Sequence, residues 1–558
     1  MFSFISRFFH GNLGGKKAVI RKDDALLAVL GYKSQFRREF SLLESMAFSF
    51  SIMGVCAAIS TTWYFPLVSG GHAGMVWGWV IPSLPVLCIA ASLAELTSSM
   101  PTSAGLYYFS AKMAPRRHSP LLSWITGWAN VFGQIALVCS IDFTCAQLIA
   151  TAIAIGSDGK VVLGTGATFG IIIVLLISHG IVCCSATGIL ARLTLLFSCV
   201  NSKPHHPILY SYPSFGTTIA ATITLLVVSG EKGTRVSAKD AFTLFENHTG
   251  WRNNVWAFFL TFTSHAWCLT GYDGAAHISE EVSGAAKSAP IAIVAGVAAT
   301  EFLGLMYLIS TSFATTSVEG LLETELPLQI GQLYLNTLGK HGTLALWSCI
   351  IFVQWVNGVV QGVDASRVTF AFARDNGLPG SKWWKQINRK TQTPVNAVWL
   401  VMGVSALLST LAFSSTALSS LAGATVVGLY TSYGMPILLR ITSGRKVFRP
   451  GPFSLGRWWL PIGVVAVAWA SFVVVLLMFP ILAVTNADEM NYASAIVLTV
   501  FLMSSLSWIF SARHWFKGPI PNITDDDLRK YSDSDIVNKK FLEIVTTEVK
   551  EASDTSSS

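Results

Sequence analysis

Runs of about twenty apolar residues, each long enough as a helix to cross a hydrocarbon layer about 30 Å thick, recur along most of this chain. The clearest lie near 76–95, 121–153, 161–184, 254–272, 290–314, 343–366, 396–415, 418–438, 459–482 and 493–510. An eleventh, around 45–68, is interrupted by small residues, and a twelfth is sought between 193 and 229. Only 12% of the residues are charged and 52% are hydrophobic, too little charge to cover a water-facing surface, since soluble domains carry about 25%. The chain reads as an all-α polytopic membrane protein with twelve transmembrane helices. A basic, mostly polar segment covers 1–40, the membrane domain 41–510 and a polar tail 511–558.

Lysine and arginine gather in alternate connections: before the first span (Arg21, Lys22, Arg37, Arg38), after the second (Lys112, Arg116, Arg117), after the eighth (Arg374, Lys382, Arg389) and after the tenth (Arg440, Arg445, Lys446). By the positive-inside rule these connections and both termini are expected in the cytosol. Asn247-His-Thr249, between the fifth and sixth spans, is then a glycosylation acceptor on the outer face. Residues 1–40 contain no apolar stretch with a cleavage site, so the first span is expected to act as the targeting signal. The net charge of +8 is scattered and forms no basic stripe, which argues against nucleic-acid binding. The nine cysteines lie in or beside apolar runs without a C-x-x-C pair, so no disulfide framework, metal site or cofactor is expected.

A helix is broken inside hydrocarbon only where protein or a water-filled cavity satisfies the exposed peptide groups. Two such breaks are expected. One lies at Ser51, Met53, Gly54 and Val55; the other, at Gly271, Tyr272, Asp273 and Gly274, has glycines on both sides of Tyr272 and Asp273. Opened helix ends offer N–H groups to a carboxylate and C=O groups to an ammonium, which suits a small zwitterion. The breaks fall in spans one and six, the two that a five-plus-five inverted repeat would pair. A structural alternative is close helix packing at glycine.

Ionisable groups within spans are the second clue. Asp142 and Asp273 are the best placed to exchange a proton or hold an amine, although each could instead be a structural acceptor. His277 is a candidate for an inner gate. Glu280 and Glu281 are expected to meet water or basic loops, and Asp364 is close enough to Arg367 to pair with it on one helical face.

Several motifs in this order are specific: Leu30-Gly-Tyr-Lys-Ser-Gln-Phe-Arg-Arg-Glu-Phe-Ser41, Phe48 to Gly54, Val76-Trp-Gly-Trp79, Ala94 to Tyr108, Gly271 to Glu281, and Ser366 to Pro379. Through them the chain resembles the amino acid–polyamine–organocation superfamily, and within it the fungal amino acid/choline transporter family, over roughly 29–515. The resemblance implies the broken-helix inverted-repeat fold, fungal origin, and proton-driven uptake of a gamma-aminobutyrate-like amino acid or small amine. It implies that the backbone from Ser51 to Val55 binds the substrate carboxylate, that Gly271 to Gly274 hold the amine side, and that Glu95 belongs to a gating turn. The expected partners are the solute, protons and membrane lipid, and the expected location is the plasma membrane. A choline or polyamine permease and a non-transporting nutrient sensor are the alternatives. A channel or a membrane enzyme is disfavoured, because neither a repeated filter nor a G-x-S-x-G or H-E-x-x-H motif is present.

One departure concerns span five. Leu193–Val200 is followed by Asn201 to Phe215, with three prolines and two adjacent histidines, before the apolar Thr217–Val228. Each flank by itself is expected to be too short to cross. Either the segment is re-entrant or tilted, or the written sequence holds an inserted stretch, and the second reading is favoured.

Overall fold

The computed structural model describes residues 13–185, 213–483 and 490–523. Among these, eleven helices are long and apolar enough to cross a membrane. The apolar runs read from the sequence set their positions; for example, 121–153 becomes Ser119–Gly156 and 396–415 becomes Val395–Phe413. The protein is therefore a multi-pass, all-helical membrane protein. Between Ser214–Glu231 and Ala285–Ala314 lies a further apolar segment cut into short pieces, Asn254–Leu260, Phe262–Cys268 and Gly274–His277.

The first membrane segment starts at a capping box. Ser41 Oγ accepts from the Glu44 N–H, and the Glu44 carboxylate accepts from the Ser41 N–H at 2.6 Å, so two otherwise orphaned amides are satisfied. Of its most apolar stretch 78% is buried, against 17% for Ala493–Trp515. The first segment is thus central and the last lies at the rim. Leu84, Phe302, Leu498 and Phe510 are exposed on outer faces, as lipid contact requires. Tyr64–Ser99 begins well before the run 76–95 and kinks at Gly71, and Gln329–Arg374 kinks at Gly339.

Span five corrects the sequence reading. Pro213–Glu231 is a continuous helix of 19 residues, about 28 Å at 1.5 Å per residue, so the flank judged too short is long enough. It exceeds the apolar flank Thr217–Val228 by residues 213–216 and 229–231, and hydroxyls along it bond backward within the helix: Thr218 to the Ser214 carbonyl and Thr222 to that of Thr218. The stretch 201–212, on which the choice between a genuine interruption and an insertion depends, lies outside the described residues.

Ala285–Ala314 packs along Tyr64–Ser99, Gln329–Arg374 along Ser119–Gly156, and Val395–Leu408 against Thr165–Cys183. At one end of the bundle the two chain extensions meet. The Asn522 N–H donates to the Gly31 carbonyl (2.8 Å), the Lys33 N–H to Asn522 Oδ1 (2.7 Å) and the Ile520 N–H to Asp375 Oδ1 (3.2 Å). Tyr32 Oη donates to Asp375 Oδ2. Phe40 forms an isolated parallel bridge with Val282, just beyond the interrupted segment.

Candidate functional site

The first break is a single residue. Gly54 has φ +48° and ψ +44°, a left-handed conformation that costs most other residues energy, and it separates Leu42–Met53 from Val55–Thr62. Any Cβ at Gly54 would overlap the Asn357 amide. With that amide turned to donate, Asn357 bonds the Ser51 carbonyl at the break. Ser51, Met53, Gly54 and Val55 are all buried.

The second break is wider. Leu269 to Asp273 are not α-helical, and Gly271 has φ +78°. Its N–H donates to Tyr433 Oη (3.1 Å), which in turn donates to Asp273 Oδ1 (2.7 Å). Asp273 Oδ2 faces Asn130 Nδ2 (3.3 Å), Gln134 Nε2 (3.2 Å) and His277 Nε2 (3.0 Å). His277 Nδ1 faces the Ser103 carbonyl at 3.3 Å, so both ring nitrogens look at acceptors and an imidazolium satisfies both. The Tyr272 ring lies 5.1 Å from that of Tyr433. The two breaks touch: Gly271 and Gly274 both pack against Ile52, leaving no room for a side chain at either glycine.

Beyond the second break, at the end where Gly31 and Lys33 meet Asn522, charged residues close the structure. Glu280 pairs with Arg374 through two contacts of 3.1 Å and also accepts from Thr102 Oγ1 and the Ser103 N–H. Glu281 pairs with Arg367 Nε at 2.7 Å and Nη2 at 3.3 Å. Both glutamates are buried, so of the two expectations, water or basic loops, it is not water that they meet, and Glu280 meets Arg374, the first of the basic residues read after the eighth span. Arg367 is bonded to Glu281 and not to Asp364, because its long side chain reaches across to the neighbouring segment. The Arg374 guanidinium also lies 4.0 Å over the Tyr32 ring.

The sequence family described as "Amino acid permease" matches residues 40–502. The chain belongs to the amino acid permease family. It is 34% identical over 517 residues to the amino-acid permease BAT1 homolog of Oryza sativa subsp. japonica, covering 89% of this chain and 96% of that protein. It is 32% identical over 530 residues to the GABA-specific permease of Saccharomyces cerevisiae, covering 92% of this chain and 89% of that one. Over 527 residues it is 32% identical to the amino-acid permease BAT1 of Arabidopsis thaliana, covering 92% and 99%.

In this permease the residues named from the sequence at the two breaks come together, joined by His277. Asp142 does not join them. It sits eight residues beyond Gln134 on the same helix, about 12 Å along the axis, with its carboxylate 3.0 Å from His179 Nδ1. Glu95 also lies apart, where it accepts from Ser454 Oγ and the Leu455 N–H and sits 3.8 Å from Arg440. Glu301 holds His265 Nε2 at 3.1 Å, the third buried histidine that faces a carboxylate. Asn247 Nδ2 donates to the Trp251 carbonyl, and Asn247 Oδ1 accepts from the Thr249 hydroxyl.

The sequence reading missed Asn130, Gln134 and Tyr433, and also Gln361, which donates to the Gln134 carbonyl at 3.3 Å beside Gly271. A signal for the amides was present. Asn130 and Gln134 are four apart in an apolar run, and Gln354, Asn357, Gln361 and Asp364 recur at helical spacing on one face of a long span. Tyr433 carried no such signal.

Proposed function

We propose that the chain is a proton-coupled secondary transporter that imports a gamma-aminobutyrate-like amino acid or related small amine across a fungal plasma membrane. The observation that carries this reading is the meeting of the two glycine breaks around one buried aspartate, Asp273, with Tyr433, Asn130, Gln134 and His277 as its donors. Helix ends opened in lipid need such a polar lining, and a zwitterion fits it with the carboxylate toward the N-terminus of Val55–Thr62 and the amine toward Gly271–Gly274. The printed name of the GABA-specific permease of Saccharomyces cerevisiae supports the substrate class.

The architecture we propose has twelve spans, counting Asn254–His277 as the sixth, related as five plus five. Three contacts support it, because 2 with 7, 3 with 8 and 4 with 9 are the pairs that such a repeat relates. Both termini are proposed to be cytosolic, with 1–40 and 511–558 as extensions of the membrane domain 41–510 and Asn247 as an outward glycosylation acceptor. Asp273 and His277 take the coupling and gating role, whereas Asp142 and Glu95 act at a distance from the solute. The test is radiolabelled uptake in a permease-deficient yeast, competed with gamma-aminobutyrate, neutral amino acids, arginine, polyamines and choline, and repeated with the proton gradient collapsed. Competition by choline alone, or uptake indifferent to the gradient, would overturn the reading.

A further inference from the structure

Asp364 stands at the same site with its charge unanswered. It is wholly buried on Gln329–Arg374 and faces the second break, where a Cβ on Gly274 would lie 3.2 Å from its carboxyl carbon. The charged groups around it are His277 and Asp273 from the interrupted segment and Arg367 from its own helix. From Ser119–Gly156 it meets the neutral Gln134, and Phe48 and Ile52 of the first segment share the contact with Gly274. Each possible donor is engaged elsewhere: His277 with Asp273 and the Ser103 carbonyl, Gln134 with Asp273, and Arg367 with Glu281. Neither carboxylate oxygen of Asp364 has a hydrogen-bond partner among the described residues. Asp273 collects four donors, whereas the donor within reach of Asp364 is the Gln134 amide, which Asp273 already engages, and a carboxylate so thinly supported and buried beside another one is strongly disfavoured.

We propose that Asp364 carries the transported proton, held as a neutral acid while Arg367 is bound to Glu281 and released when opening of this end frees Arg367. The proposal rests on the proton-coupled reading above. A proton from the loading side adds to the Asp364 carboxylate and permits the closed, charge-balanced packing. When Gly274–His277 and the segment after it move away, Glu281 leaves Arg367. The freed guanidinium, three residues along the same helix face, then favours the ionised carboxylate, and the proton passes to water on that side. One buried arginine with two alternative partners thus links gate opening to proton release.

The test uses the full-length chain in proteoliposomes with radiolabelled gamma-aminobutyrate. The wild type accumulates it roughly tenfold per unit of imposed pH gradient if one proton moves with each solute. Asp364→Asn, which imitates the protonated acid, is expected to bring accumulation down to about one, the equilibrium ratio, while solute-for-solute exchange continues. Coupled accumulation by Asp364→Asn would overturn the proposal, as would loss of exchange in a variant with wild-type thermal stability. A wild type that exchanges but never responds to the gradient would instead overturn the coupling reading itself. A second measurement needs neither substrate nor variant. Dicyclohexylcarbodiimide adds to protonated carboxyls in apolar surroundings, and mass spectrometry of the labelled wild type is expected to place the adduct on Asp364, declining as pH rises. An adduct on Asp273 in its place, or on neither residue, would overturn the assignment.

Discussion

Replacing Gly54 by alanine tests the first break through two separable costs. An L-residue held at φ +48° is strained by about 1–2 kcal/mol. Its Cβ would also overlap the Asn357 amide, so the amide must leave the Ser51 carbonyl, and groups left unpaired in the interior cost about 1–3 kcal/mol. The two together come to about 2–5 kcal/mol. The second cost exists only while Asn357 is present. In a double-mutant cycle of Gly54→Ala with Asn357→Ala, the combined loss is therefore expected to fall short of the sum by about 1–3 kcal/mol. The assay is reversible unfolding in mixed micelles by titrated dodecyl sulfate, run alongside binding of labelled solute. Additivity within about 0.5 kcal/mol, or wild-type affinity in Gly54→Ala, would refute the account of the break.

Asp273→Asn presents an N–H group to a site ringed by donors and is expected to cut uptake about tenfold or more, at about 1.5–3 kcal/mol for a charge-assisted bond; unchanged uptake and pH response in a normally abundant variant would remove Asp273 from the mechanism. Arg367→Met strands the buried Glu281 carboxylate and is expected to cost about 3–5 kcal/mol, most of it recovered on adding Glu281→Gln; the unfolding titration reads both variants. Burial raises the Asp375 carboxyl from 3.8 to about 6, with Arg374 opposing. The folded protein then holds that proton more tightly than the unfolded chain, so the contribution of Asp375 to stability is greatest below 3.8 and is lost as pH rises to about 6. The thermal midpoint in detergent is expected to drop across that interval, and Asp375→Asn to flatten the slope.

The apolar runs were legible because hydrocarbon leaves a chain few alternatives to the helix, and Gly54 and Gly271 because their positive φ values favour glycine. The bond from His277 to Asp273 follows helical spacing and was within reach of the sequence. The partners of Glu281 and Asp142 were not. They lie 86 positions from Glu281, at Arg367, and on a different helix from Asp142, at His179, where spacing carries no information. Span five was misjudged for a different reason. The count stopped at the apolar Thr217–Val228, whereas the helix runs on through residues 213–216 at one end and 229–231 at the other, where the Ser229 hydroxyl is satisfied by the Leu226 carbonyl within the helix itself.

Three buried histidines, His179, His265 and His277, each stand against a carboxylate, and Arg367 and Arg374 each stand against a glutamate. Such couples carry no net charge, so a membrane potential exerts little pull on them. A zwitterion carries none either. Voltage sensitivity in uptake, about 2.3 kcal/mol per charge for 100 mV across the full membrane, would accordingly report on an ionisable group outside those couples, and an electrode on an intact cell could read it directly.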